Sequence, residues 1–159
     1  MTTKRLVLSV FCLLIAGCAG TVEPRQELEG YLKECTATHG YNPDAAASLG
    51  PHELGVGEIQ WRECAYRKVE TDLIPKVFAK DRYRQLIVED REMTARVAAG
   101  QLTRAERRAR IQAALGEIYQ VEEAEHEKRS QIADSAMQNE MRREQAQRMQ
   151  RAMLPPLLR

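Results

Sequence analysis

Apolar residues recur along this chain with a helical period, in stretches parted by turn-forming residues. In PRQELEGYLKECTATHG, Leu28, Tyr31, Leu32 and Cys35 fall at i, i+3, i+4 and i+7, one face of an α-helix. In GEIQWRECAYRKVETDL, Trp61, Cys64, Ala65, Val69 and Leu73 make a second stripe. The segment between them has glycines at 40, 50, 55 and 57 and prolines at 43 and 51, which is loop composition. Pro75 has no amide donor and clashes with the preceding turn, so the second helix is expected to break or kink there. Ala79, Tyr83, Leu86, Met93 and Val97 mark a third helix ending near Ala99, with Asp90 a polar exception on the stripe. Gly100 suits the position just past a helix end, where a left-handed residue is needed. Thr103 and Glu106 then form a T-x-x-E capping box that opens a fourth helix. So short a link predicts an antiparallel hairpin, with Ile111, Ala114, Leu115, Ile118 and Val121 as the buried face of its second arm.

The pattern changes past Val121. From 122 to 153 there is no Leu, Val, Phe, Tyr or Trp, and Ile132 is the only branched aliphatic residue. Glu, Gln, Ala, Arg and Met keep helix propensity high, while a face for packing is nearly absent. A solvent-exposed extension of the fourth helix, a weak coiled-coil strand and partial disorder all fit this composition. The expectation is an extended helix reaching away from the core, fraying toward MLPPLLR, where Pro155 and Pro156 stop it.

The amino terminus follows a different logic. Lys4 and Arg5 precede an apolar run from Leu6 to Ala16. As a helix that run covers about 16 Å, whereas a bilayer core needs about 30 Å. A basic start, a short apolar stretch and small residues after it describe an export signal. Ile15-Ala16-Gly17-Cys18 at its end resembles the lipobox of bacterial lipoproteins. The resemblance implies cleavage before Cys18, attachment of diacylglycerol to its sulfur and acylation (palmitate) of the new terminus. Ala19 in place of aspartate favours the outer over the inner membrane by the enterobacterial sorting rule. The organisation expected is a signal peptide over 1–17, a lipidated tether over 18–23, a helical core over 24–121 and an exposed extension with a flexible tail over 122–159. Loss of Lys4 and Arg5 takes the 24 basic residues to 22 against 23 acidic ones. A near-neutral chain presents no overall field for nucleic acid.

Of the four cysteines, Cys12 leaves with the signal and Cys18 is the lipid anchor, which leaves Cys35 and Cys64. Two thiols in an exported domain read as one disulfide, stapling the first two helices through their inner faces. The alternative is a metal site. Cys35, His39, His52 and Cys64 make C-x3-H-x12-H-x11-C, residue types that suit tetrahedral zinc, though an oxidising compartment favours the disulfide. The fold class expected is therefore all-α: a disulfide-stapled helical hairpin, then a second hairpin with a long polar C-terminal helix.

No catalytic constellation is legible. His39, His52 and His126 have no nucleophile placed beside them, and Glu58 and Glu63, flanking Trp61, read as solvated rim carboxylates. No cofactor, metal or small-molecule substrate is indicated. LTRAE at 102–106 resembles the L-T-x-x-Q element of small periplasmic stress chaperones of the Spy and CpxP type, with Glu106 where that family has glutamine. That resemblance implies a helical cradle for unfolded clients. WRECAY at 61–66 resembles, more distantly, the last helix of LprI-type lysozyme-inhibitor domains. The Arg- and Met-rich end offers a partner surface: Met137, Met141 and Met149 as an adaptable apolar strip, and Arg142, Arg143 and Arg148 as contacts for an acidic partner or anionic head groups. Taken together, the chain reads as a lipid-anchored periplasmic protein with a non-enzymatic interaction or envelope-structural role. Its expected partners are the membrane, through Cys18, and an envelope protein.

Overall fold

The computed structural model describes residues 23–43 and 48–153. The expected signal peptide over 1–17, the expected lipid anchor Cys18 and residues 154–159 lie outside the described residues. The described chain is all-α: α1 (Pro24–His39), α2 (Glu58–Lys68), α3 (Lys80–Ala98) and α4 (Arg104–Met153). None of these helices is long and apolar enough to cross a membrane.

Helices α1 and α2 form an antiparallel hairpin, tied near its loop by the Cys35–Cys64 disulfide, with Cα atoms 5.8 Å apart. Beside it the Tyr41 and Trp61 rings pack with centroids 5.4 Å apart. The helix break expected at Pro75 takes the form of a widened turn. Val69–Leu73 is π-helical, and the Ile74 amide donates to the Val69 carbonyl at 2.9 Å, five residues back. Widening carries the chain past the position where proline offers no donor.

The second hairpin joins α3 to α4 through the punctuation read from sequence. Gly100 has φ 73, and the Gln101 amide reaches back to the Arg96 carbonyl at 2.9 Å, closing the helix end. The Thr103 amide donates to Glu106 Oε2 at 2.8 Å and the Glu106 amide to Thr103 Oγ1 at 3.2 Å, so the capping box is formed. The start of α3 is held from across the hairpin. The Glu122 carboxylate accepts the Phe78 amide at 3.0 Å and the Ala79 amide at 2.6 Å, satisfying donors that a helix leaves orphaned.

Tyr66, Val69, Leu73, Ile74, Val77, Tyr83, Ile87 and Ile118 form the main buried cluster. Each fully buried aliphatic side chain there contributes about 1.5–3 kcal/mol. Close backbone approaches lie within the hairpins, between α1 and α2 and between α3 and α4. The hairpins meet one another mainly through side chains, with the Arg104 amide donating to the Pro51 carbonyl at 2.8 Å.

Candidate functional site

The structure separates the residues singled out from sequence. Cys35 and Cys64 are joined, and Cys35 is wholly buried with Trp61 and Ala65. That bond consumes both thiolates of the alternative zinc set. His52 meanwhile turns to the Leu102 carbonyl, its Nδ1 at 3.0 Å, and His39 sits exposed in the last turn of α1. Among the described residues no three His, Cys, Asp or Glu side chains gather as metal ligands would.

Met137, Met141, Arg142, Arg143, Arg148 and Met149 all lie on α4 and are exposed. Met137 and Met141 are one turn apart on one face, and Met149 lies about 80° further round. Exposed Ile132 sits about 140° from Met137, so the apolar residues do not make one continuous seam. The guanidinium of Arg129 lies 4.3 Å from the centroid of the Phe78 ring. Beyond it every residue to Ala152 is exposed.

A buried charged cluster between the hairpins had no counterpart in the sequence reading. Glu58, expected as a solvated rim residue, is only 1% exposed. It precedes Trp61 by three residues and Ala65 by seven, so it extends the apolar stripe by a turn. The register was the available signal. Its Oε1 accepts Arg62 Nε at 3.1 Å and Arg62 Nη2, while Oε2 accepts the Gly55 amide at 2.9 Å and Arg104 Nη1 at 2.7 Å. Gly55 fits because a Cβ there would meet the Tyr41 ring at 2.7 Å. Glu63, by contrast, is exposed and pairs with Arg91 at 3.0 Å.

Asp90, the polar exception on the α3 stripe, is the second anion of the cluster. Its Oδ2 accepts the Tyr66 hydroxyl at 2.6 Å and Arg62 Nη1 at 3.4 Å, and its Oδ1 accepts Arg107 Nη2. Arg107 Nε also donates to Thr94 Oγ1 at 3.1 Å. Three helices are thus joined by charge-assisted bonds where their backbones stand apart.

Burial alone would raise the Glu58 pKa, but the Gly55 amide, Arg62 and Arg104 outweigh it and hold the carboxyl at about 2. Burial first, and then the Asp90 carboxylate, push the Tyr66 hydroxyl above the ordinary phenol range. A depressed carboxylate contributes stability above its unfolded pKa of 4.5 and loses it as pH falls toward 2. Denaturation midpoints measured at pH 6, 4 and 2.5 should therefore fall steeply over the lower interval, and Glu58→Gln should flatten that fall. An unchanged slope in the variant would show that the acid sensitivity has another source.

Beside the cluster lies a cleft of about 580 Å³ between the hairpins. Leu28, Leu32, Leu86, Ile111 and Leu115, all at core-facing register and all only partly buried, line its apolar walls. Toward the start of α4 the lining adds Arg104, Arg107 and Arg108, with Glu58, Arg62 and Asp90 opposite and Tyr41, Leu49, Leu54 and Trp61 beside them. An apolar recess closed by convergent polar groups is the ordinary form of a small-ligand site.

Comparison with protein-family models, curated proteins and solved structures finds no match to this chain. Its function is argued from the chemistry described above.

Proposed function

We propose that this protein is a lipoprotein of the bacterial envelope. It is anchored through acylated Cys18, facing the periplasm from the outer membrane in preference to the inner, and it works by holding a partner and not by catalysis. The distal half of α4 is the partner surface. One observation carries this reading: α4 continues for about 35 Å beyond Arg129 with every residue to Ala152 exposed. A helix that is polar on all sides gains nothing from tertiary burial and rests on propensity alone. A partner lying along it would supply the missing contact, with Met137, Met141 and Met149 as adaptable apolar points and Arg142, Arg143 and Arg148 flanking them.

A photo-crosslinking residue at position 141, used in cells and followed by mass spectrometry, should trap one or a few envelope proteins. Deleting 126–153 should abolish those adducts and move the unfolding temperature of the body by no more than about 2 °C, since exposed residues contribute little to stability. Adducts that survive the deletion, or a body that melts many degrees lower, would count against the arm as a separate partner surface. Palmitate incorporation in the same cells should vanish in Cys18→Ser, and incorporation that persists removes the anchor from the reading.

A chaperone-like role for unfolded clients is the second reading, favoured by the half-buried apolar walls of the cleft. It predicts many heterogeneous adducts, arising from cleft positions and not from the arm. The T-x-x-E letters do not distinguish the two, because the cap geometry accounts for them locally.

A further inference from the structure

We propose that the cleft between the hairpins is a binding site for a free long-chain fatty acid, with the alkyl chain along the apolar walls and the carboxylate at the arginine end. Charge complementarity is the first ground. The cleft is lined by Arg62, Arg104, Arg107 and Arg108 against Glu58 and Asp90, four positive groups to two negative, which leaves a surplus of two. The two carboxylates are saturated by Arg62, Arg104, Arg107, Tyr66 and the Gly55 amide. Arg108, exposed at the mouth, gives a 3.2 Å bond to the Pro43 carbonyl and has further donors in its guanidinium fork. A third carboxylate entering there meets excess positive charge and donors in bidentate geometry.

Shape is the second ground. From Arg104 to Leu115 the cleft follows α4 for about 16 Å. An extended peptide would set amides and carbonyls against the apolar faces of Leu28, Leu86 and Leu115, at a desolvation cost. An alkyl chain has no such groups, and it would bury the leucine faces that the hairpins leave half covered. Arg104, Arg107 and Arg108, gathered toward the start of α4, then set the direction of the ligand.

Trp61, the only tryptophan of the chain, lines the cleft and reports on it. Titrating the purified full chain with oleate, below the concentration at which oleate aggregates, should give a saturable one-site change in its emission. The expected Kd is on the order of 1 µM, with oleyl alcohol about tenfold weaker and oleylamine weaker again. Arg108→Glu should weaken oleate about tenfold without loss of helical circular dichroism. Ala109→Phe should block the cleft; it replaces a small lining residue on the exposed side of α4. The proposal is overturned by an absence of saturation, by equal affinity for oleate and oleyl alcohol, or by parental affinity in both variants. It is also overturned if oleate binds the Cys18→Ser full chain but not the acylated protein, because the occupant is then the protein's own acyl chain.

Discussion

Asp90→Ala should lower the unfolding temperature by more than about 10 °C, the largest effect expected of any single polar substitution here. Asp90 is 7% exposed and is the acceptor shared by Tyr66, Arg62 and Arg107. Without it Arg107 keeps only Thr94 Oγ1, at 3.1 Å, and the Tyr66 hydroxyl has no acceptor. Removing one partner of a buried ion pair costs about 3–5 kcal/mol, because the remaining charge stays desolvated and uncompensated. In a folded body of about 100 residues each kcal/mol is worth roughly 4–8 °C. Replacing the whole constellation with Asp90→Leu, Arg62→Met and Arg107→Met should cost much less than Asp90→Ala alone, since no charge is then stranded. Arg84, whose partner Asp81 is almost fully solvated, supplies the control. Arg84→Ala should change stability by less than about 0.5 kcal/mol. Thermal circular dichroism of the four proteins decides the matter, and an Asp90→Ala midpoint within about 2 °C of the parent would mean that water reaches the cluster.

Loss of the disulfide should be nearly as costly. Cys35 and Cys64 are 29 residues apart in sequence. Opening a loop of that size releases denatured-state entropy worth about 3.6 kcal/mol. The bond also sits within the smaller cluster of Tyr41, Trp61 and Ala65, which has little other apolar support. Dithiothreitol should therefore lower the midpoint of the parent substantially and leave a Cys35→Ala, Cys64→Ala protein unmoved at the lower value. A parent insensitive to reductant would show that the hairpin is held by packing alone. Because Tyr41 carries Arg104 through a 3.0 Å bond to its hydroxyl oxygen, reduction should also loosen the arginine end of the cleft.

Local features were legible to the extent that their causes are local. The apolar period places Trp61, Ala65, Val69 and Leu73 on one face because 3.6 residues per turn require it, and all four are buried. Gly100, Thr103 and Glu106 end one helix and begin the next through bonds that span only a few residues. The break at Pro75 was legible in the sequence, while the π turn that precedes it was not. Whether a chain kinks, stops or widens into a π turn depends on what packs outside it, and here Val69 and Leu73 are held in the core. Glu58 was misread because a glutamate near a helix start is most often solvated. Only its three-residue spacing to Trp61 hinted otherwise.

By itself the sequence determined the helices, their order, the hairpin at Gly100 and the long polar arm, since helix periodicity, caps and breakers act within one or two turns of chain. It also left two cysteines whose pairing joins α1 to α2. Tertiary structure alone decided that Glu58, Arg62, Asp90 and Arg107 converge, and that the hairpins stand far enough apart to leave a cleft. The cluster joins residues 49 positions apart, from Glu58 to Arg107, and the cleft brings together residues as distant as Leu28 and Leu115. They depend on how two rigid hairpins settle against each other, a balance of side-chain volume and charge that no local period encodes.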